Sequence, residues 1–307
     1  MKTKAPASQQ QASNQITEGV IWKQLLIFFF PILFGTFFQQ LYNTADAIIV
    51  GNFVGKEALA SVGGPASTII NLLVGFFVGL SSGATVVISQ HYGGGDDQKV
   101  SDSVHTSIAL AIAGGAVMMV LGLASARFAL SAMATPSDIM EPSLTYMRIY
   151  YLGIIPSMIY NMGSGILRAV GDSKRPLYFL IAGCLVNIAL DLILVARLDL
   201  GVAGAAIATI MSQLISAILT VIALMRTTDS YRLVVSRIRF HKHLLFSIVK
   251  IGLPAGLQSA MYSISNLLIQ SSINSFGTDT IAAWTAYAKV DSIFWMIMSA
   301  YGVSATT

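Results

Sequence analysis

Residues 25–51 read LLIFFFPILFGTFFQQLYNTADAIIVG, an apolar stretch that carries a single charged side chain, Asp46. A helix that crosses a lipid bilayer needs about 20 predominantly apolar residues, and this stretch supplies them around its one carboxylate. We therefore predict that residues 24–50 form a membrane-spanning helix and that the fold is built from helices of this kind.

The composition of the whole chain also indicates a membrane protein. Hydrophobic residues make up 55% of the 307 residues, charged residues make up 10%, and the mean hydropathy is +0.72. Soluble domains contain about 25% charged residues, so a soluble enzyme and a nucleic-acid-binding protein are both disfavoured. The single cysteine, Cys184, excludes an internal disulfide framework. We expect contacts with membrane lipids, no nucleic-acid partner and no cofactor.

Eight apolar segments separated by short loops predict an all-α polytopic membrane protein. The predicted spans are residues 24–50, 58–91, 104–132, 141–168, 176–196, 200–225, 245–273 and 281–307.

The distribution of basic residues predicts the orientation. Thirteen Lys and Arg residues lie in the N-terminal tail and in the loops after even-numbered spans, against three in the opposite loops. Since cytoplasmic loops are enriched in basic residues, the N-terminus is expected in the cytoplasm. The predicted organisation is a cytoplasmic tail (1–22), a six-helix N-terminal lobe (23–225), a basic cytoplasmic linker (226–244) and an incomplete C-terminal lobe of two helices (245–307).

The seventh predicted span repeats features of the first. Pro31 and Asn43 recur as Pro254 and Asn266 at one constant offset in the sequence. Six spans separate the copies, so both enter the membrane in the same direction, and parallel repeats of this kind build transporters with a site between two bundles. Because a complete second copy would need about as many residues as the first, we expect the chain to be a fragment of a twelve-span protein.

Several polar residues are predicted to lie inside the membrane. A carboxylate at the centre of a spanning helix costs about 2.5–3.5 kcal/mol, so Asp46 should be paired, protonated or facing a wet cavity. Asn187 and Asp191 are four residues apart and share one helix face. The rise per residue places these three side chains at a similar depth to Tyr146 and Thr209. Two close carboxylates cannot both stay ionised cheaply, so the group is predicted to bind a proton or a small cation; the alternative is that the side chains only join helices by hydrogen bonds.

Three further positions are open to two interpretations. Pro31 removes a backbone hydrogen bond from the first span and is either a hinge or a static kink. Lys289 and Asp291 in the eighth span do not share a helix face, and one of them is a candidate for lining a second-lobe cavity.

The four histidines show no metal-ligand pattern and are expected to be solvated. They are His91, His105, His241 and His243.

The sequence resembles the multidrug and toxic compound extrusion (MATE) family, most closely its bacterial DinF-like branch. The resemblance rests on residues 41–46 (LYNTAD) with Gly51, on residues 167–176 (LRAVGDSKRP), and on Asn187 and Asp191. It covers the chain from about residue 22.

The resemblance implies a multi-pass protein of the bacterial inner membrane, expected as a monomer, that exports cationic or amphipathic small molecules in exchange for protons or Na⁺. It implies a first-lobe cation site, and it places the family's bending proline at Pro31. A further family asparagine is Ser164 here, and the position of a second-lobe glutamate in the NorM-like branch is held by Tyr262. The implied cation-site residues are Asp46, Tyr146, Asn187, Asp191 and Thr209.

Three other functions compete with that of an exporter. Related flippases of the same superfamily move lipid-linked oligosaccharides and have more cationic cavities, whereas the first six spans here hold two buried acids and few buried bases. A receptor would not require the repeat. An intramembrane enzyme is disfavoured because neither His-Glu-x-x-His nor Gly-x-Ser-x-Gly occurs in the sequence.

Overall fold

The computed structural model of the protein describes residues 20–133, 135–274 and 278–307. These residues form helices and no β-strand, which confirms the all-α prediction. Residues 1–19, most of the predicted tail, lie outside the described residues. The α-helices are α1 (Ile21–Phe53), α2 (Lys56–Gly63), α3 (Pro65–Gly93), α4 (Asp97–Ala132), α5 (Ser137–Leu152), α6 (Ile154–Ala169), α7 (Lys174–Asp191), α8 (Gly201–Arg226), α9 (Lys242–Asn274) and α10 (Thr278–Thr306).

Within the part of the chain that the structure describes, six helical stretches are long and apolar enough to cross a membrane. Many of their large apolar side chains are exposed, such as Phe30, Phe34 and Phe37 along α1. An apolar surface of this extent is stable when lipid chains cover it, which is the environment that the hydropathy requires. The six stretches are Trp22–Phe53, Lys56–Gly93, Asp97–Ala132, Lys174–Arg197, Gly201–Arg226 and Lys242–Asn266.

The predicted fourth span, residues 141–168, is not one helix. It is divided at Gly153 into α5 and α6, each 16 residues long, so that neither half alone has the length of a typical span. The Gly153 N–H donates to the carbonyls of Ile149 and Tyr150, which tightens and ends the first half. A Cβ at Gly153 would collide with the Ile210 side chain, so the glycine lets this break pack directly against α8. The predicted second span, residues 58–91, is similarly interrupted, because Pro65 starts α3 as a new helix.

Helix α7 does not end as an α-helix. A π-helical segment, Leu192–Arg197, follows Asp191 directly, and the Leu198 N–H donates to the Ile193 carbonyl at 2.9 Å. Segments of this wider geometry are rare and occur frequently at functional sites.

The two copies of the repeat contact each other reciprocally. Helix α1 packs against α10, and α3 packs against α9. Each contact therefore joins the first helix of one copy to the second helix of the other, which is what a two-fold relation between the copies produces. The α3–α9 contact is lined by glycines at four-residue spacing, and small residues at this spacing let membrane helices approach closely. They are Gly75, Gly79 and Gly83 on α3, and Gly252 and Gly256 on α9.

The predicted linker, residues 226–244, is bound to one end of the bundle, called here the linker end. His105 near the start of α4 is 1% exposed, so the prediction of a solvated histidine was wrong for this residue. Its Nδ1 lies 2.6 Å from the Ser101 carbonyl, and its Nε2 accepts the Val234 N–H at 3.0 Å. The adjacent Thr106 Oγ1 accepts the His241 N–H at 3.2 Å. A buried histidine with both ring nitrogens bonded thus joins α4 to the linker. No pattern in the sequence predicted this contact.

Candidate functional site

A cavity of about 540 Å³ lies inside the bundle. Helices α1, α2, α3, α5, α6, α7 and α8 contribute to its wall, with Leu and Val side chains between many polar ones. A polar cavity among lipid-facing helices is the usual place for the functional groups of a membrane protein. Its polar lining residues are Thr36, Gln39, Tyr42, Asn43, Asp46, Ser67, Asn71, Tyr146, Tyr150, Ser157, Tyr160, Asn161, Ser164, Arg168, Ser173, Thr209 and Gln213.

Two carboxyl groups meet at one side of this cavity. Asp46 of α1 is 9% exposed and lines the cavity, while Asp191 at the end of α7 is fully buried behind it. The two side chains lie within hydrogen-bond range of each other. Two ionised carboxylates only accept hydrogen bonds, so a bond between them requires a proton on one. The pair is therefore arranged to share a proton or to bind a cation.

Other protein groups do not satisfy these carboxyl oxygens. Oδ1 of Asp46 and both Oδ atoms of Asp191 are buried and accept no hydrogen bond from the described residues. Asn187, one turn before Asp191, is fully buried, and neither atom of its amide has a partner. Most buried polar groups in proteins are hydrogen-bonded, and a group of exceptions in one place needs an explanation. Hard cations prefer carboxylate and amide oxygens as ligands. A role in binding such a cation would explain why these buried atoms have no protein partner.

A cluster of hydroxyl groups lies next to the carboxyl pair. Thr209 of α8 donates its hydroxyl hydrogen to the Ala205 carbonyl at 3.0 Å, so its oxygen remains free to accept. The hydroxyl groups of Tyr42 and Tyr146 both approach this oxygen. The three residues lie on α1, α5 and α8 around Asp46. A change of charge at the carboxylates would therefore alter the electrostatic environment of side chains on all three helices.

The structure brings together Asp46, Asp191, Tyr146 and Thr209, with Asn187 one helical turn away, fully buried and outside the cavity lining. Pro31 also lines the cavity, but it lies 15 residues before Asp46 on α1, about 22 Å along the axis.

Of the two predicted second-lobe residues, the described one, Asp291, does not line this cavity. It accepts a long hydrogen bond of 3.5 Å from the Tyr287 hydroxyl. The side chain of Lys289 lies outside the described residues.

The cavity residues that were not singled out from the sequence as site residues include Tyr42, Tyr150 and Gln213. Each lies four positions from a predicted site residue, namely Asp46, Tyr146 and Thr209 respectively. Residues four apart share a helix face, so extending each predicted position by one turn would have found them.

Arg168, the last residue of the predicted fourth span, was not singled out from the sequence as a site residue. The structure places it in the last turn of α6 with its side chain half-buried and lining the cavity.

The lipid-facing helices and the internal polar cavity together define a polytopic α-helical membrane protein whose polar groups are gathered inside the bundle. The MatE family model matches residues 31–193, more than half of the chain. The chain belongs to this family, whose members are transporters and not enzymes.

Curated relatives carry names that refer to multidrug resistance or export. The chain is 28% identical to the probable multidrug resistance protein YpnP of Bacillus subtilis (strain 168), over 95% of this chain and 65% of YpnP. It is 24% identical to the multidrug export protein MepA of Staphylococcus aureus (strain NCTC 8325 / PS 47), over 86% of this chain and 58% of MepA. The chain thus spans less than two thirds of the length of these relatives.

Solved structures of MATE transporters share the fold. One, described as MATE in the bent conformation, has a TM-score of 0.86 at 25% identity and covers 98% of this chain and 66% of that protein. Another, described as MATE in the straight conformation, has a TM-score of 0.86 at 25% identity and covers 95% of this chain and 65% of that protein.

Proposed function

We propose that this protein functions in cation-coupled antiport and exports cationic or amphipathic small molecules. The coupling ion is H⁺ or Na⁺, and it binds at Asp46 and Asp191. The proposal is supported by membership of the MatE family and by relatives that are named for multidrug resistance and export.

One observation carries the proposal. Two buried carboxyl groups lie within hydrogen-bond range of each other beside an internal cavity, and three of their four oxygens have no donor among the described residues. A pair that served only to join helices would have donors such as Asn or Ser side chains directed at it. Here the amide of Asn187, one turn before Asp191, is itself without a partner among the described residues. A site that is polar, buried and unsatisfied is suited to a small cation that enters and leaves.

Binding of the cation is proposed to change the shape of α1. A proton or Na⁺ removes the excess negative charge next to Tyr42, Tyr146 and Thr209, and the hydroxyl groups around Asp46 then lose the charge that orients them. Helix α1 carries both Asp46 and Pro31, and the proline has no N–H to bond the preceding turn. We propose that Pro31 is where α1 bends. The bent and straight conformations described for a related MATE protein support a bundle with two shapes.

The same proposal includes the orientation of the protein in the membrane, the place where the cargo binds and the oligomeric state. We propose that the linker end faces the cytoplasm of a bacterial cell, because the basic residues concentrate there. The cargo binds in the cavity, whose Asp46 carboxylate, tyrosine rings and apolar walls suit an amphipathic cation. A monomer is sufficient for this mechanism, since the proposed site lies within one chain.

The test is transport by everted membrane vesicles that contain the protein expressed from its own gene. Ethidium movement is followed by fluorescence while either a proton gradient or a Na⁺ gradient is imposed. We expect one of the two gradients to drive ethidium uptake into the vesicles, and we expect Asp46→Asn and Asp191→Asn each to reduce the rate at least tenfold. Each substitution keeps the size of the side chain and removes its ability to bind a cation by charge.

Asp138→Asn is the matched control. Asp138 is exposed at the start of α5, away from the cavity, and this substitution makes the same change in charge. Its rate should equal that of the unmodified protein. Gradient-driven transport that survives in both Asp46→Asn and Asp191→Asn would show that the carboxyl pair does not couple the ion.

A further inference from the structure

Arg168 is a half-buried cation without a counter-ion. It lies in the last turn of α6 at the linker end and lines the cavity. Its side chain forms no ion pair with any acid among the described residues, and its Nε is inaccessible to solvent and has no hydrogen-bond partner. A buried charge is stable in a protein when it is paired and hydrogen-bonded, so this guanidinium group lacks its complement.

The neighbouring polar groups are already engaged elsewhere. Asp172, a few residues along the chain, pairs with Arg175 at 3.1 Å and also accepts the Arg175 N–H at 3.0 Å. The hydroxyl of Tyr160 donates to the Pro176 carbonyl at 3.3 Å. The acid and the phenol closest to Arg168 in sequence therefore leave the guanidinium group unsatisfied.

A second unpartnered group lies one turn before Arg168 on the same helix face. Ser164 is 2% exposed and lines the cavity, and its Oγ has no hydrogen-bond partner among the described residues. Ser173, 4% exposed, lines the same region from the α6–α7 loop. A guanidinium group with adjacent hydroxyl donors is the usual protein complement of a carboxylate or a phosphate, and the guanidinium fork can bond two of its oxygens at once.

Arg168 and Asp191 lie toward opposite ends of the bundle. Arg168 is in the last turn of α6, just before the loop that leads into α7, whereas Asp191 is the last residue of α7, and Pro176 near the start of α7 lies 15 residues before it, about 22 Å along the helix. Among the described residues, neither Asp46 nor Asp191 forms an ion pair with Arg168. The cavity has a cationic side at the linker end and an anionic side at Asp46.

We propose that Arg168, with Ser164 and Ser173, binds the carboxylate or phosphate of an amphipathic molecule, so that the cavity accepts amphoteric molecules as well as simple cations. The inference rests on the proposed transport function in naming the bound molecule as cargo. The binding itself can be measured without transport.

The experiment compares two dyes that differ in one group. Rhodamine 19 carries a free carboxylate on a cationic xanthene, and rhodamine 6G is its ethyl ester with the same xanthene. Binding to the 307-residue chain in phosphatidylcholine nanodiscs is measured by fluorescence anisotropy. We expect the free acid to bind at least tenfold more tightly than the ester, and we expect Arg168→Gln to remove that preference while the affinity for the ester stays within about twofold.

Two variants keep the result interpretable. Arg237→Gln makes the same change at an exposed position of the linker and should retain the preference. Arg168→Lys keeps the charge and loses the planar fork, so it should retain part of the preference even if Arg168→Gln folds poorly. Equal affinity for the two dyes in the unmodified chain, or a preference that persists in Arg168→Gln, would overturn the proposal.

A final arm identifies the source of the bound anion. The measurement is repeated in nanodiscs that contain phosphatidylglycerol, an anionic lipid. An unchanged preference means that the site takes the carboxylate of dissolved cargo, whereas a preference lost in parallel with the effect of Arg168→Gln means that the phosphate of an anionic lipid, with no choline to neutralise it, fills the site. Asp46→Asn should leave the preference for the free acid intact, so failure of ion coupling and failure of the anion site are separate results.

Discussion

The close contact between α3 and α9 makes a quantitative prediction for Gly79→Ala. A Cβ built at Gly79 would lie 2.5 Å from both Cα and N of Gly256 and 2.7 Å from the carbonyl carbon of Ala255. These are backbone atoms, which cannot rotate away as a side chain can. Non-bonded carbon atoms prefer about 3.5–4.0 Å, so one added methyl group must push the two helices apart by roughly 1 Å.

The expected cost of Gly79→Ala is about 1–3 kcal/mol, the range for an extra methyl group forced into a well-packed contact. The control is Gly302→Ala on α10, where an added Cβ has no other atom within 4 Å. At such an open helical position, replacing glycine with alanine should stabilise the protein by about 0.4–1 kcal/mol, because alanine restricts the unfolded chain. The two substitutions are chemically identical and are predicted to have opposite signs.

The single cysteine provides the assay. Cys184 is the only thiol in the chain and is buried, so a thiol-reactive coumarin maleimide fluoresces only as the fold opens. On heating, we expect the midpoint for Gly79→Ala to fall by roughly 2–4 °C for each kcal/mol, and the midpoint for Gly302→Ala to stay level or rise. Equal midpoints for the two variants would refute the close approach of α3 and α9.

Two further predictions concern the linker end. His105→Ala leaves the Val234 N–H without its acceptor, which costs about 1–3 kcal/mol for a buried group. Tryptic cleavage after Arg232 and Arg237 should therefore become roughly tenfold faster. His243→Ala, at an exposed position, should leave the cleavage rate unchanged. Digestion at equal rates in both variants would contradict the anchoring of the linker. Asp96 caps α4, and hydrogen bonds from the side chain and backbone of Lys99 hold the pKa of its carboxyl below the usual value. A carboxyl group whose pKa is lower in the folded state stabilises the fold at pH values above its ordinary pKa, and this stabilisation is lost as the pH falls. The unmodified protein should therefore have a higher thermal midpoint than Asp96→Asn, with the full difference above about pH 4 and no difference in stronger acid. An advantage that does not change with pH would count against the ionised cap.

The carboxyl pair was predictable because a charge inside a membrane helix is costly. Asp46 is the one charged residue in residues 25–51, and Asp191 shares a face with Asn187, so both were identified from hydropathy and helical spacing. The structure places the two carboxyl groups together, whereas hydropathy and spacing predicted only their depth in the membrane and not which helices are neighbours. Their role in coupling stays a prediction.

Other features depend on contacts that no local pattern encodes. The π-helical segment after Asp191 adds a residue to a helical turn, and nothing in residues 192–197 distinguishes it from the α-helix before it. The break at Gly153 depends on Ile210 of another helix. Arg168 follows an apolar segment and precedes a turn, which is also the pattern of a basic residue in a solvated loop. Its position in the cavity wall is set by how α6 packs against its neighbours.

The anchoring of the linker limits how the two copies of the repeat can move. Val234 and His241 are bonded to His105 and Thr106 on α4, and α9 begins at Lys242, the next residue. No loop residues remain between His241, which is bonded to α4, and the start of α9. The start of α9 is therefore a fixed pivot on the first bundle, and any large displacement of α9 must be a swing whose amplitude grows with distance from that point.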